Sequence, residues 1–492
     1  MQADAVHIIG GGIGGLAAAI TLASKGRQVV LHEKQAEVGG KANTRSIGPF
    51  RFDTGPSLLT MVPAFHRLFA EAGKNIEEYI PIVELSPITH YWFSDGTHFA
   101  SDRLERFIPT LSEHLDVTKE ELDAYFTYSK RIWDLTHSIF LEKSLHSWKT
   151  YASRKTLHSL LHIGAIDPFR NMHGANASFF RDHRLVQLLD RYATYNGSDP
   201  YQAPATLNTI PYVEHGLGAY GVQNGIYGIV GGLEKLAREL GVEIRKGSEV
   251  SSIKYDRRRR ITALVANGEH IPVQHIICNS DVSTLYGDLL QDSKAPLAKR
   301  YRTMAPSSSA LVYYWGIDRS FYELGLHNIF FSSDYHKEFD AIHRQKRVPE
   351  DPTIYINITS KITPTDAPAG QENWFVLVNA PPHDGRTWEE DLAATKQAIL
   401  ARLSEALHTP LQDHIIAEGH MTPSDIEEQT GSFRGSLYGI SSNTTMAAFL
   451  RHPNISRRYP GLYLCGGSVH PGGGMPLAAL SGVIAARAIL GG

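Results

Sequence analysis

"AVHIIGGGIGGLAAAITLASKGRQVVLHEK", residues 5–34, decides the fold class of this chain. "AVHII" (5–9) reads as a short buried strand, and "LAAAITLASK" (16–25) carries apolar residues at helical spacing. Lys25 and Gly26 supply a basic last turn and a glycine just past the helix end. "RQVVLHEK" (27–34) is a second strand. Between strand and helix, Gly10, Gly12 and Gly15 form G-x-G-x-x-G, each glycine for its own reason. Gly10 permits the tight turn, Gly12 lets backbone approach a pyrophosphate, and Gly15 lets helix and strand pack closely. The helix N-terminus then offers N–H groups and a positive dipole end to phosphate. Glu33 follows Gly15 by eighteen residues, where a carboxylate accepts ribose hydroxyl hydrogens. These pieces predict a Rossmann-type βαβ unit that binds a dinucleotide. They do not choose between NAD and FAD.

Composition narrows the rest. The 492 residues suffice for two or three domains; 42% are hydrophobic and 20% charged, as in ordinary globular proteins. A net charge of −3 gives no electrostatic footprint for nucleic acid. The one dense basic run, Arg257–Arg260, reads as the solvated arm of a β-hairpin, with attraction to anionic lipid as the alternative. Two cysteines, Cys278 and Cys465, make neither a disulfide framework nor a metal site and fit a reducing cytoplasm. The N-terminus enters a strand at once, so no signal peptide is expected, and no apolar run is long enough to span a bilayer. The 24 histidines show no metal-ligand spacing.

Farther along, residues 101–195 read as mostly helical. "RKTLHSLLHIGAIDPF" (154–169) is amphipathic and basic at its start, a helix packed on its own domain or a shallow membrane contact. Residues 228–281 return to α/β texture. They comprise a helix near 231–240, a strand over "EIRKGSEVSSIKYD", a hairpin turned at Asn267-Gly268, and the strand "HIIC" before "NSD" (279–281). Residues 300–440 mix strands ("SSSALVYYWGI", "PTIYINIT", "ENWFVLVNA") with a helix near 388–407. The last 35 residues read strand, glycine loop, helix. Dinucleotide-type pieces thus lie at the start, middle and end. The expected fold is α/β: a Rossmann-type domain from residues 1–90, 220–295 and 440–492, interleaved with a mixed-sheet and helical domain from 91–219 and 296–439.

Two further stretches carry a family resemblance. "EKQAEVGGKANT" (33–44) sets a Gly-Gly pair and a cation after the ribose acid, and "FRFDTGPSLL" (50–59) follows. Both resemble E-x5-G-G-[RK] and F-D-x-G-P of the phytoene-desaturase and amine-oxidase superfamily of flavoproteins. Lys41 stands where most relatives have Arg, which keeps the charge and loses the planar fork. "GLYLCGGSVHPGGGMPLAALSG" (461–482) resembles the closing motif of bacterial-type carotenoid desaturases, G-[AG]-x-x-H-P-G-x-G-[IM]-P. Pro476 suits a first helical turn; Leu477, Leu480 and Ile484 form an apolar stripe, and the alanines, Ser481 and Gly482 allow close packing. "CNSDVSTLY" (278–286) is similar to the family's A-N-x-D stretch and "SDPYQAPATL" (198–207) to its G-x-P-x-x-A-P element. "GVQNG" (221–225) departs from the usual F-P-x-G-G and resembles relatives acting on later carotenoids, such as hydroxycarotenoid 3,4-desaturases.

The resemblance implies FAD as cofactor, held by Gly10, Gly12, Ile13, Gly15, Glu33, Gly40, Lys41, Gly55, Pro56, Val250, Asn279, Asp281, Gly466, Gly467 and Met475. Lys41 would balance phosphate charge, Val250 would pass the adenine, and the 466–476 loop would press backbone against the flavin. It implies dehydrogenation of a long isoprenoid, with hydride leaving an allylic carbon for flavin N5. The polyene spreads the transient charge, so no catalytic base is named, and His470 is expected to fix the loop backbone. Oxygen or a quinone would reoxidise the flavin. A lipid-dissolved substrate implies a cytoplasmic protein peripherally associated with the membrane surface. Phytoene or diapophytoene desaturases, carotenoid isomerases and terminal oxidases of the same family share these motifs. Amine and protoporphyrinogen oxidases share only the N-terminal half, and the intact glycines argue against a flavin-free prenyl-binding relative.

Overall fold

Four separated stretches of chain build one parallel sheet. Its order is Leu462–Leu464, His275–Cys278, Val6–Ile9, Val29–Glu33, Glu243–Lys246. Every residue of Val6–Ile9 and Val29–Glu33 is buried, as for central strands covered on both faces. The protein was described from a computed structural model covering residues 5–141, 163–444, 447 and 451–491. Most of the 154–169 amphipathic stretch lies outside those residues; Ile163–Ile166 forms a single 3-10 turn.

The helix after the glycine turn, Ile13–Ala23, is buried along its whole length. It packs between the sheet and the last helix, Met475–Ile489. Their contact is backbone on backbone: a Cβ on Gly482 would stand 2.1 Å from the Gly14 carbonyl oxygen. The first helix ends at Ala23, two residues before the basic Lys25 that the sequence places in its last turn. Gly26 (φ +75°) closes it by donating to Ala23 O at 2.9 Å.

The single strand expected over "EIRKGSEVSSIKYD" is two strands in two sheets. Glu243–Lys246 edges the parallel sheet, whereas Val250–Tyr255 pairs antiparallel with Ile261–Ala266, which pairs with Glu269–Pro272. The break falls at Gly247 (φ +65°), and Ser248 N then donates to Glu33 O at 2.8 Å. The hairpin does turn at Asn267 and Gly268, both at positive φ. In the basic run, Arg259 is tied to Asp292 at 2.9 Å. The helix expected near 231–240 begins earlier, at Tyr227, and ends at Glu239.

A second sheet of seven strands runs Ile415–Met421, Ser309–Ile317, Glu372–Ala380, Ile354–Ile358, His327–Phe330, His90–Trp92, His98–Ala100. Its neighbours are antiparallel except His327–Phe330 with His90–Trp92. One face, with Leu311, Tyr313, Trp315, Trp374 and Val376, packs under Ile399, Leu400 and Leu403 of the helix Glu389–Ala406. The period-two alternation of strands leaves the other face to a different task.

The helix crossing gives a direct test. Gly482→Ala forces a methyl into the Gly14 carbonyl and should destabilise the chain by about 1–3 kcal/mol in urea denaturation. Gly231→Ala, in an exposed helix interior with nothing within 4 Å, should instead stabilise it by about 0.5–1 kcal/mol. Equal effects of the two would remove the helix contact from the account.

Candidate functional site

The parallel sheet ends in a cavity of about 1600 Å³ that continues onto the free face of the seven-stranded sheet. Gly10 (φ +95°) makes the first turn, and its N–H donates to His32 O at 2.8 Å. Gly12, Ile13 and Gly14 line the cavity at the helix N-terminus. Gly15 does not line it: its Cβ would meet Gly10 O at 2.1 Å, so its part is the helix–strand contact alone.

Glu33 is 6% exposed at the end of the second strand. Its Oε2 accepts from Gly11 N (2.7 Å) and its Oε1 from Gln35 N (2.9 Å). Two backbone amides therefore fix the carboxylate, leaving lone pairs for ribose hydroxyls. Gly39 N donates to Gly11 O at 2.9 Å, and Gly40 (φ +61°) runs against Gly12 Cα, so the two glycine loops lie backbone to backbone. Val250 is brought to the same wall by the Ser248–Glu33 bond.

Gly55 and Pro56 line the next stretch, and a Cβ on Gly55 would stand 1.9 Å from Lys41 O. Lys41 also lines the cavity, but its ammonium does not point out as a bare phosphate ligand. Its Nζ donates to Ser436 O and Leu437 O, both at 2.8 Å. Burial pulls its pKa down to about 8, against the pull of the neighbouring Asp281 carboxylate. Asp281 is raised above the usual carboxylate range by its own burial; it accepts from Ser283 N at 2.8 Å and caps a one-turn helix.

The C-terminal loop meets the first glycine loop directly. Asn279 sits between them: Nδ2 donates to Gly10 O (3.3 Å) and Oδ1 receives the Cys465 thiol (3.5 Å). Gly466 (φ +100°) has no room for a Cβ against Asn279 Oδ1, at 2.6 Å. Gly467, Gly473, Gly474 and Met475 line the cavity where this loop enters the last helix. His470 does not line it; its carbonyl accepts from Ser481 Oγ (2.7 Å) and Asn454 Nδ2 (2.8 Å). Arg451, 3% exposed, donates to Tyr438 O and Gly467 O, both at 3.1 Å.

Arg451 and Asn454 carry no sequence signal, being single polar residues in "LRHPNIS". Asp53 was within reach, as the acid of "FDTGP". It accepts from Ile226 N (2.7 Å) and holds the start of the helix Tyr227–Glu239, while Arg51 bridges it to Asp366.

Beyond the glycines, the cavity floor is the free face of the seven-stranded sheet. Val312 and Tyr314 alternate with core residues on one strand, and their cross-strand partners Leu377 and Phe375 on the next. Tyr355 and Met421 extend the floor on either side. At one corner Arg191 pairs with the fully buried Glu214 at 3.5 Å, and Glu214 accepts from the Tyr192 (3.0 Å) and Tyr195 hydroxyls. Burial opposes the Glu214 charge, but Arg191, His215 and these hydroxyls outweigh it and hold the carboxyl below its usual range.

Glycines where a Cβ would strike backbone, a carboxylate fixed at the end of the second strand and a helix N-terminus on one cavity fit a dinucleotide. Glu33→Ala should raise the FAD dissociation constant about 10- to 100-fold, the worth of charge-assisted hydrogen bonds. Unchanged affinity in a fluorescence titration would move the ribose contact elsewhere. The Lys41 charge is present below about pH 8 and lost above it, and with it the charge-assisted tie to the 436–437 carbonyls that shapes this wall, so FAD affinity should fall as pH rises from 7 to 9. In Lys41→Arg the fall should disappear; a flat profile in the unaltered protein would count against a role for this charge.

A family model described as flavin containing amine oxidoreductase matches residues 13–490. The 1-hydroxycarotenoid 3,4-desaturase of Flavobacterium sp. (strain P99-3) is 43% identical over 98% of each chain. The 4,4'-diapolycopene oxygenase of Methylomonas sp is 37% identical over 97% of this chain and 96% of its own. Among solved structures, cyclohexylamine oxidase from Brevibacterium oxydans IH-35A superposes with a TM-score of 0.62 over 99% of this chain and 98% of that one, at 14% identity, a likeness of fold. The chain belongs to the flavin-containing amine oxidoreductase family, and its cofactor is FAD.

Proposed function

We propose that this FAD-dependent oxidoreductase desaturates a late acyclic carotenoid, with a 1-hydroxycarotenoid, dehydrogenated at carbons 3 and 4, as the favoured substrate. The observation that carries the reading is 43% identity, over nearly the full length of both chains, to a protein named for that reaction. The cavity supports it. At about 1600 Å³ it exceeds the roughly 300–1,000 Å³ of an ordinary ligand pocket, and a dinucleotide and a long second ligand must share it. Its floor of Val312, Tyr314, Phe375 and Leu377 offers flat apolar and aromatic contact to a polyene.

FAD supplies the two-electron acceptor for the hydrogen that leaves the allylic carbon. The sheet face orients the chain and excludes water, and the backbone of residues 466–475 walls the redox end. A proton leaves the neighbouring carbon while the conjugated system spreads the charge, and no side chain is assigned as base. On this reading the parallel sheet with residues 1–90, 220–295 and 440–492 carries FAD, and the seven-stranded sheet with 91–219 and 296–439 carries the polyene. Oxygen or a quinone takes the electrons onward.

No helix among the described residues is long and apolar enough to cross a membrane. A lipid-dissolved substrate nevertheless requires a docking face on the bilayer, and Phe169, 87% exposed, is a candidate element of it. Oxidation of a terminal carbon is the second reading, supported by the likeness to the Methylomonas oxygenase.

Flavin-loaded protein in liposomes should be offered phytoene, neurosporene and a 1-hydroxycarotenoid, and the products separated by chromatography. The expected result is loss of two hydrogens from the hydroxylated compound. Conversion of none of the three, or products of unchanged hydrogen count, would overturn the reading; added oxygen would favour the second.

A further inference from the structure

The cavity floor of Val312, Tyr314, Phe375 and Leu377 is apolar and aromatic, and the Arg191 corner is not. Arg191 is 6% exposed, lines the cavity, and donates through Nη2 to the Tyr91 hydroxyl at 2.9 Å. Its guanidinium carbon stands 4.4 Å from the Tyr192 ring centroid, and Glu214 balances its charge. Its Nε, however, is buried with no hydrogen-bond partner among the described residues. A buried donor left unpaired is costly, so water or a ligand must complete it, and one that lines a cavity is open to a ligand.

His327 lines the same cavity, 1% exposed, and feels the charges of both Glu214 and Arg191. Asn357 Nδ2 donates to its Nδ1 at 3.2 Å, and the same amide nitrogen donates to Leu326 O at 3.0 Å, which fixes the amide orientation. The Tyr355 hydroxyl also faces Nδ1, at 2.8 Å, and can donate to it, so the arrangement assigns Nδ1 as the acceptor. Burial lowers the pKa of this ring to about 4, so it is neutral and carries its proton on Nε2. That nitrogen too is buried without a partner among the described residues.

We propose that Arg191 Nε and His327 Nε2 are the two donors of an oxygen-binding pocket that receives the hydroxyl at the end of the polyene and so sets which carbon–carbon bond is oxidised. The assignment rests on the desaturase reading above and adds its specificity device. The chemistry supplies a ruler. A hydroxyl on carbon 1 lies within about 4 Å of carbon 3 by ordinary bond lengths, so its pocket must adjoin the redox end rather than a remote tunnel mouth. Side chains join the polar corner to the Gly55–Pro56 stretch of the same cavity. The His327 Nδ1 is 2.8 Å from the Tyr355 hydroxyl, which lies 2.5 Å from Ser57 Oγ, directly after the Gly55–Pro56 pair. A hydrocarbon terminus placed there would leave both donors unpaired, and so is rejected.

The test uses full-length FAD-loaded protein in detergent micelles and reads binding from the shift of the carotenoid absorption bands. A 1-hydroxycarotenoid is compared with the hydrocarbon of equal length and unsaturation. The unaltered protein should bind the hydroxylated compound about 10- to 100-fold more tightly. His327→Phe, which keeps a ring and loses the donor, should cut that ratio about tenfold. Arg191→Lys, which keeps a charge opposite Glu214 and loses Nε, should also cut it. The ratio is taken within one protein, so a general loosening of the fold cancels. A ratio near one in the unaltered protein, or a ratio retained in both variants, would overturn the pocket. Desaturation of both compounds with a ratio near one would overturn the pocket and leave the desaturase reading standing. A ratio lost in the variants, with no hydrogen removed from either compound, would uphold the pocket and overturn that reading.

Discussion

A carbonyl oxygen pressed against a glycine, Gly14 against Gly482, sets the geometry of the rest. Two helices meeting at side-chain distance lie 8–10 Å apart; only glycine at the crossing allows the backbones to touch. That closeness brings the loop before the last helix onto the loop before the first. Gly466 N then lies close above Gly14, and a single side chain, Asn279, fits between them. The cofactor cavity is the space that remains beside this joint. A larger residue at either crossing position would pull the two walls apart and remove the shape that fits a flat ligand.

Polar groups secure what the glycines permit. Asn454 gathers the carbonyls of Leu464 and His470 with the Ser481 hydroxyl, and Arg451 ties the loop to Tyr438 and Ser442. The bonds to His470 O and Tyr438 O satisfy loop carbonyls that no sheet or helix satisfies. The same logic holds at Asp53, whose carboxylate replaces the missing acceptors for the first N–H groups of a helix. Loop rigidity here is hydrogen bonding to buried side chains, with glycine supplying the backbone angles.

Local pattern made the first βαβ unit legible, because "AVHII" is apolar apart from His7 and the glycines stand at fixed offsets from it. The Asn267-Gly268 turn was legible for the same reason: the two residues themselves favour positive φ. The split at Gly247 was not, since "KGSEV" keeps the polarity of a continuous strand and its tie is to Glu33, more than two hundred residues away. Lys41 shows the limit at the site. Its neighbourhood in sequence marks it for the cofactor, while the carbonyls that accept its hydrogen bonds, those of Ser436 and Leu437, are unrelated to it in any local pattern. Arg191, Glu214 and His327 are joined only by the packing of three elements, which no spacing announces.

The order of the parallel sheet has a consequence for the making of the molecule. The central strand, Val6–Ile9, lies beside His275–Cys278, and the edge strand and closing helix come from the last thirty or so residues. At a synthesis rate of about 5–20 residues per second, the wholly buried helix Ile13–Ala23 waits roughly 20 seconds or longer for its partner, Met475–Ile489. Until that helix is made, its contact with Ile13–Ala23 is missing and the cavity lacks the wall formed by residues 466–475. The cavity therefore closes only after residues 466–489 are in place, and a ligand that needs both walls binds after that point.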